Sequence, residues 1–263
     1  MRDHWEITRL GGMPGLTPPG AAREQERPVV VERVQGADGE LVLRRCGGHH
    51  EIISDGMFLM DTRDGRSERL LVRAAVEGLA APARVLIGGL GVGFSLAEAV
   101  SLPQVGAVTV VEKQAAVIDW HGTHLRPYSA GALDDPRVRV RCADLLEWLT
   151  SDEATDEAAE GAGGEPRDGS FDAVCLDIDN GPDWTLNASN ARLYGAAGLD
   201  LVTARMSRRG VLAVWSAAAA PVFEDVLRTR FADVAVREVP VPRGEPDVIY
   251  LARRPRRHAE DGG

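Results

Sequence analysis

The sequence predicts an α/β fold: a parallel, seven-stranded sheet flanked by helices, with a small N-terminal antiparallel β domain in front of it. Three observations predict it. The apolar run Arg84-Val85-Leu86-Ile87 enters a glycine turn, Gly88-Gly89-Leu90-Gly91-Val92-Gly93. A second apolar run ends in a carboxylate, Val110-Val111-Glu112, about 20 residues on, the spacing of a nucleotide-binding βαβ unit. Further β-type runs then alternate with stretches long enough for helices.

Residues 1–27 are rich in Gly, Pro and charge without periodicity, and read as a flexible N-terminal segment. From 28 to 64, four short β-type runs are separated by the turn signals Ala37-Asp38-Gly39, Gly47-Gly48 and Asp55-Gly56, which is an antiparallel meander. The meander is too small to own a core and is expected to pack on the larger domain or on a second subunit. Apolar positions at helical spacing predict a helix over 67–79, opening a large domain that spans 65–252. Strands are expected at 84–87, 107–111, 137–141, 171–176, 211–215, 234–239 and 248–252. The last two are joined by a short Pro- and Gly-bearing turn, an antiparallel hairpin. Seven strands ending so make a Rossmann-like sheet of the methyltransferase variety. Residues 151–170, acidic and Gly-rich, read as a flexible insertion, and the Arg-rich 253–263 as a disordered tail.

A chain of 263 residues is long enough for one sizeable core with a small appendage. A formal charge of −10 argues against a nucleic-acid partner, because neutralising phosphates needs clustered Lys and Arg. Cys46, Cys142 and Cys175 are odd in number and far apart, and read as reduced core residues. No metal site is expected: there is no Cys-x-x-Cys, and His49 and His50 are strand neighbours pointing to opposite faces. With no signal-peptide pattern and no apolar stretch of membrane-spanning length, the expected location is cytoplasmic, without a membrane partner.

Ligands of an open parallel sheet sit beyond the carboxyl ends of its strands, so the strand tips carry the candidate residues. The Gly-x-Gly-x-Gly spacing of Gly89, Gly91 and Gly93 favours S-adenosylmethionine over NAD, whose turn is Gly-x-Gly-x-x-Gly. Glu112 can accept both hydroxyls of a ribose. Asp144 can accept from the exocyclic amine of adenine, or serve only as a helix N-cap. The fourth tip, Asp177-Ile178-Asp179-Asn180-Gly181-Pro182, crowds negative charge where a sulfonium and an amine would lie. If strand geometry continues, Asp177 and Asp179 share a face and one becomes a general base; the bland reading is an Asx-rich turn. Trp184 and Tyr194 offer aromatic faces to a cationic substrate or ordinary packing.

Across 29–253 the chain resembles the polyamine aminopropyltransferases, the spermidine synthases and their relatives. The resemblance rests on Ser54-Asp55-Gly56, Glu68, Val85 to Gly89, Val111-Glu112, Ala143-Asp144, the Asp177 loop, Leu193-Tyr194 and Gly210 to Val214. It implies a small β domain joined to a Rossmann-like domain, a decarboxylated S-adenosylmethionine donor and a diamine acceptor. Glu112 would hold ribose, Asp144 adenine, and Asp177 the donor or the attacking amine, with Glu68 and Asn180 on the substrate side. The chain also departs from that pattern. Gly91 stands where the family has the Asp that clasps the aminopropyl ammonium, Asn180 stands at the second Asp of Asp-x-x-Asp-Pro, and Arg66-Ser67-Glu68 replaces Tyr-His-Glu. The expectation is therefore a homodimeric S-adenosylmethionine-dependent transferase that moves a methyl or other sulfonium-borne carbon group to a small, amine-bearing nucleophile. The alternatives are an aminopropyltransferase using decarboxylated S-adenosylmethionine, and a catalytically silent nucleoside-binding relative.

Overall fold

The computed structural model describes residues 27–154, 171–185 and 188–256. Four antiparallel strands come first, β1 (Val29–Gly36), β2 (Gly39–Cys46), β3 (His49–Ser54) and β4 (Met57–Asp61), paired in chain order. Leu41, Leu43 and Ile52 are buried in one cluster with Leu71 and Val72 of the helix α1 (Arg66–Val76). The meander thus completes its core by covering the larger body, as a four-stranded sheet must if it lacks a second layer of its own.

The second sheet has the order β10-β11-β9-β8-β5-β6-β7. It comprises β5 (Ala83–Gly88), β6 (Val105–Glu112), β7 (Val138–Cys142), β8 (Phe171–Leu176), β9 (Met206–Ser216), β10 (Phe231–Val239) and β11 (Asp247–Pro255). The strands from β7 to β9 pair in parallel, and β11 runs antiparallel to both β9 and β10. Central strands are covered on both faces, which is why they read as unbroken apolar runs. Val85 and Ile87 point to the layer holding α1 and α2 (Phe94–Ser101), while Leu86 points to the opposite layer. That layer holds α4 (Leu145–Thr150), α5 (Ala188–Tyr194), α6 (Ala196–Ala204) and α7 (Pro221–Arg230). The short helix α3 (Ala115–Trp120) follows β6 and buries Trp120 against the first layer. From β5 the chain passes to β6 on one side and later to β8 on the other, so a crevice opens at the carboxyl ends of β5 and β8.

Several expectations change. The helix stops at Val76, because Glu77 leaves helical geometry and Gly78 adopts φ +78°. β9 begins at Met206, five residues before the expected start. The sheet continues past 252: Arg253 pairs with Asp233 and Val211, and Pro255 pairs with Phe231, so 253–255 belong to β11 and not to a tail. None of the three cysteines is in a disulfide, and only Cys175 is buried in the core; Cys142 is exposed and Cys46 half-buried. The N-terminal segment up to 26, the acidic insertion from 155 and the chain beyond 256 lie outside the described residues. Among the described residues no helix is long and apolar enough to cross a membrane.

Candidate functional site

The glycine turn follows β5 directly, and each of its alternate glycines answers a different neighbour. Gly89, Gly91 and Gly93 have φ of +89°, +50° and +91°, a region costly for residues bearing a Cβ. A Cβ on Gly89 would overlap the carbonyl oxygen of Asp177; on Gly91 it would stand 2.5 Å from Sδ of Met60; on Gly93, 2.6 Å from Cε1 of His121. Gly89 and Gly91 line a cavity of about 1140 Å³, whereas Gly93 sits behind it as the N-cap of α2.

Glu112 at the tip of β6 fastens this turn. Its Oε2 accepts from the Leu90 amide and its Oε1 from the Gln114 amide, both at 2.8 Å. Burial pushes its carboxyl above the ordinary range, and the backbone N–H donors pull the other way. Behind the turn, Nε2 of the buried His121 donates to the Gly91 carbonyl at 3.0 Å. Burial lowers the pKa of this ring, which favours the neutral form. Nothing in the local sequence marks His121, since its partner is 30 residues away in the chain.

Asp144 acts as a cap and also faces the cavity. Its Oδ1 accepts from the Leu146 and Glu147 amides at 3.0 and 3.4 Å, opening α4, and its Oδ2 lies 3.4 Å from Nζ of Lys113. Lys113 also reaches Asp38 in the β1–β2 turn at 2.7 Å, tying the meander to the adenine-side candidate.

The acidic loop departs from the expected geometry. Strand pairing stops at Leu176, and Asp179 adopts φ +53°, so the chain turns rather than extends. Asp177 accepts from Ser95 Oγ of α2 at 2.9 Å, while Asp179 accepts from Asn190 Nδ2 of α5 at 2.8 Å. The common strand face inferred for the two carboxylates therefore does not exist, although both line the cavity. Asn180 also lines it, and its carbonyl accepts from the Ala217 amide at 3.1 Å. Trp184 stands at the cavity with 56% of its surface exposed. Tyr194 does not line it: the phenol donates to the Ile178 carbonyl at 2.9 Å and the ring packs edge-on against Phe223. It braces the acidic loop from below and offers no face to a substrate.

Glu68 enters the cavity from α1 and meets two acids, Asp177 and Asp247. Burial first, then the Asp177 charge, raise Glu68 to about 8. Burial likewise raises Asp177 to about 6, against the Ser95 hydrogen bond. The nearby arginines are engaged elsewhere, Arg66 with Asp64 at 2.7 Å and Arg69 near Glu98 at 3.9 Å. Arg66 bears on the outer acid, Asp247, while desolvation of Glu68 and Asp177 favours either protons or a positively charged ligand. The sequence marks Ser67 only within Arg66-Ser67-Glu68 and does not mark Asp247 as its partner, because α1 and β11 meet only in the folded chain. Among the described residues no group of three His, Cys, Asp or Glu side chains is arranged to hold a metal.

No family model matches the chain. It is 31% identical over 189 residues to a polyamine aminopropyltransferase of Mycobacterium tuberculosis, a match covering 71% of this chain and 32% of the relative. It is 31% identical over 201 residues to one of Corynebacterium efficiens, covering 75% and 35% respectively. The chain thus spans about a third of the length of these curated relatives. Among solved structures, spermidine synthase from Thermotoga maritima superposes with a TM-score of 0.66 at 17% identity, over 86% of this chain and 72% of that one. A spermidine synthase in complex with the transition-state analogue AdoDATO gives 0.65 at 17% identity, with the same coverage. These likenesses bear out the α/β fold, its seven-stranded sheet and its four-stranded N-terminal sheet.

Proposed function

We propose that this spermidine synthase-like chain is a transferase that takes a carbon group from an adenosyl sulfonium donor and gives it to an amine. The aminopropyl group of decarboxylated S-adenosylmethionine is the first reading, ahead of the methyl transfer that the departures from the family pattern suggested, because the curated relatives are polyamine aminopropyltransferases. The observation that carries it is the set of acids, buried Glu68, desolvated Asp177 and half-buried Asp247, that line the cavity with Gly89 and Gly91.

The residues fit such a donor. Gly89 and Gly91 line the cavity with a backbone that packs too closely on Asp177 and Met60 to carry a Cβ, Glu112 and Asp144 are the candidates for ribose and adenine, and Asp177 lies next to the turn. When bound, the donor supplies a carbon already activated by its positively charged sulfur. The chain's own work is then positioning and proton removal. Asp177 attracts the cationic amine and Glu68 helps to orient it, the meander and the β10–β11 loop enclose the cavity, and a carboxylate of the acidic loop accepts the amine's proton.

Methyl transfer from intact S-adenosylmethionine remains the second reading, favoured by one observation. Gly91 carries no carboxylate for an aminopropyl ammonium, and the thioether of Met60 fills the space where a side chain would be. Calorimetry with both donor forms, followed by turnover against a panel of mono- and diamines, tests the pair. Preference for the decarboxylated form with transfer to an amine supports the first reading, preference for the intact form supports the second, and tight binding of both without turnover on any amine sinks both.

A further inference from the structure

Ser67 joins two carboxyls that sequence separates by almost the whole domain. Its Oγ lies 2.6 Å from Oδ2 of Asp247 and 2.9 Å from Oε2 of Glu68. A serine hydroxyl has one proton to give and lone pairs to receive with. Both contacts can be hydrogen bonds only if one of the two carboxyls carries a proton and donates it to Ser67. Two ionised carboxylates at these distances would leave one oxygen facing a lone pair in a buried setting, which costs the full desolvation of that group. The geometry therefore counts one proton for the Glu68–Ser67–Asp247 unit.

The two ends of the unit differ in depth. Glu68 is 8% exposed and faces Asp177. Asp247, half-buried at the start of β11, faces the outer pair Asp64 and Arg66. On the inner side Asp177 also feels Glu112, and Ser95 bonds Asp177. Resting on the transferase reading, we propose that Glu68, Ser67 and Asp247 are a proton exit path for the reacting amine, with Ser67 as the positioning residue that couples the two carboxyls. In the resting chain Glu68 donates to Ser67 Oγ, and Ser67 donates to the Asp247 carboxylate. As the amine loses its proton to the acidic loop, the Glu68 proton passes to Ser67 while the Ser67 proton passes to Asp247, and Glu68 takes over the proton that the loop carboxylate accepted from the amine nitrogen. Asp247 then sheds one proton to water at the cavity mouth. One proton enters and one leaves, and no other reactant is consumed.

Carboxyl-carbon NMR of the full chain, with Glu68→Gln and Asp247→Asn used for assignment, reads the shared proton without any turnover. The expected result is two coupled titration steps shared by Glu68 and Asp247, with one proton retained by the pair near neutral pH. Ser67→Ala should uncouple them, whereas Ser67→Thr, which keeps the hydroxyl, should leave them coupled. Independent titrations in the wild type, or a Ser67→Ala chain that titrates like the wild type, would overturn the proposal. In turnover with decarboxylated S-adenosylmethionine and 1,4-diaminobutane, Ser67→Ala should lower kcat about 10- to 100-fold with little change in KM and a displaced pH profile, and Ser67→Thr should restore both. An unchanged kcat also overturns it. If no amine is turned over, the transferase reading fails, and the exit path fails with it even where the carboxyl titration finds a shared proton.

Discussion

The carbonyl oxygen of Asp177 occupies the space into which a Cβ on Gly89 would project, so the glycine turn and the acidic loop meet backbone to backbone. The Asp177 amide closes the contact by donating to the Gly88 carbonyl at 2.9 Å. Neither side can give way. At Gly91 the obstacle is instead the far end of the Met60 side chain, which can rotate. Gly89→Ala should therefore destabilise the protein by about 3 kcal/mol or more, through a rigid overlap added to an unfavourable φ. Gly91→Ala should cost roughly 1–2 kcal/mol from its φ of +50° plus the displacement of Met60, and a second change, Met60→Ala, should recover the steric part. Thermal unfolding of the single and double variants checks this, and equal losses at Gly89 and Gly91 would contradict it.

What was legible in the sequence follows from the kind of signal each feature leaves. Parallel strands buried on both faces leave unbroken apolar runs, so β5, β6 and β8 and the turn after β5 could be read directly. Residues 253–255 were lost to the tail because arginines dominate there, although pairing with β9 and β10 makes them strand. The acidic loop was legible in composition and misread in conformation. A left-handed Asp179 cannot be told from an extended one by its neighbours, and that angle decides which helix each carboxylate meets. Tyr194 could be found by pattern, but only packing shows that its hydroxyl is spent on Ile178. Asp247 and His121 left no local trace, and Ser67 shows only as a departure within Arg66-Ser67-Glu68, since each acts through a partner far away in the chain.

Glu112→Ala should weaken binding of the sulfonium donor more than a hundredfold, the equivalent of roughly 3 kcal/mol from two charge-assisted hydrogen bonds. The structure adds a second consequence. Both carboxylate oxygens already hold backbone amides, those of Leu90 and Gln114, so the variant should also unfold at lower temperature, with a loss of about 1–3 kcal/mol. Calorimetry and thermal unfolding read the two effects separately. Undiminished affinity would remove Glu112 from the donor site.

The buried acids make stability fall as pH rises. Glu68 titrates near 8 in the folded chain against an ordinary value of 4.5. Between those values the native state keeps a proton that the unfolded chain has lost. Stability therefore declines across that window and levels off above it. Asp177, raised from 3.8 to about 6, adds a decline at lower pH. Glu68→Gln removes the first contribution. Its melting temperature should match the wild type near pH 4.5 and exceed it increasingly toward pH 8, by roughly 2–4 °C for each kcal/mol relieved. A gap independent of pH would show that Glu68 is ionised throughout.

The acidic loop carries the sharpest test, because its two carboxylates are held by different helices. Asp177 leans on Ser95 beside the glycine turn, and Asp179 on Asn190 at the far wall. If both contribute to orienting the sulfonium end and removing the amine's proton, Asp177→Asn and Asp179→Asn should each lower kcat by about 10²–10⁴ while leaving adenosine binding, which rests on Glu112 and Asp144, largely intact. The larger loss is expected at Asp177. Its carboxyl is desolvated and raised to about 6, so activity that depends on its ionised form should fall on the acid side of that value, and Asp177→Asn should abolish that limb of the profile. Steady-state rates from pH 5 to 9 with decarboxylated S-adenosylmethionine and an amine that is turned over decide it. Near-wild-type rates in both variants would reduce the loop to a turn and remove proton acceptance from its role.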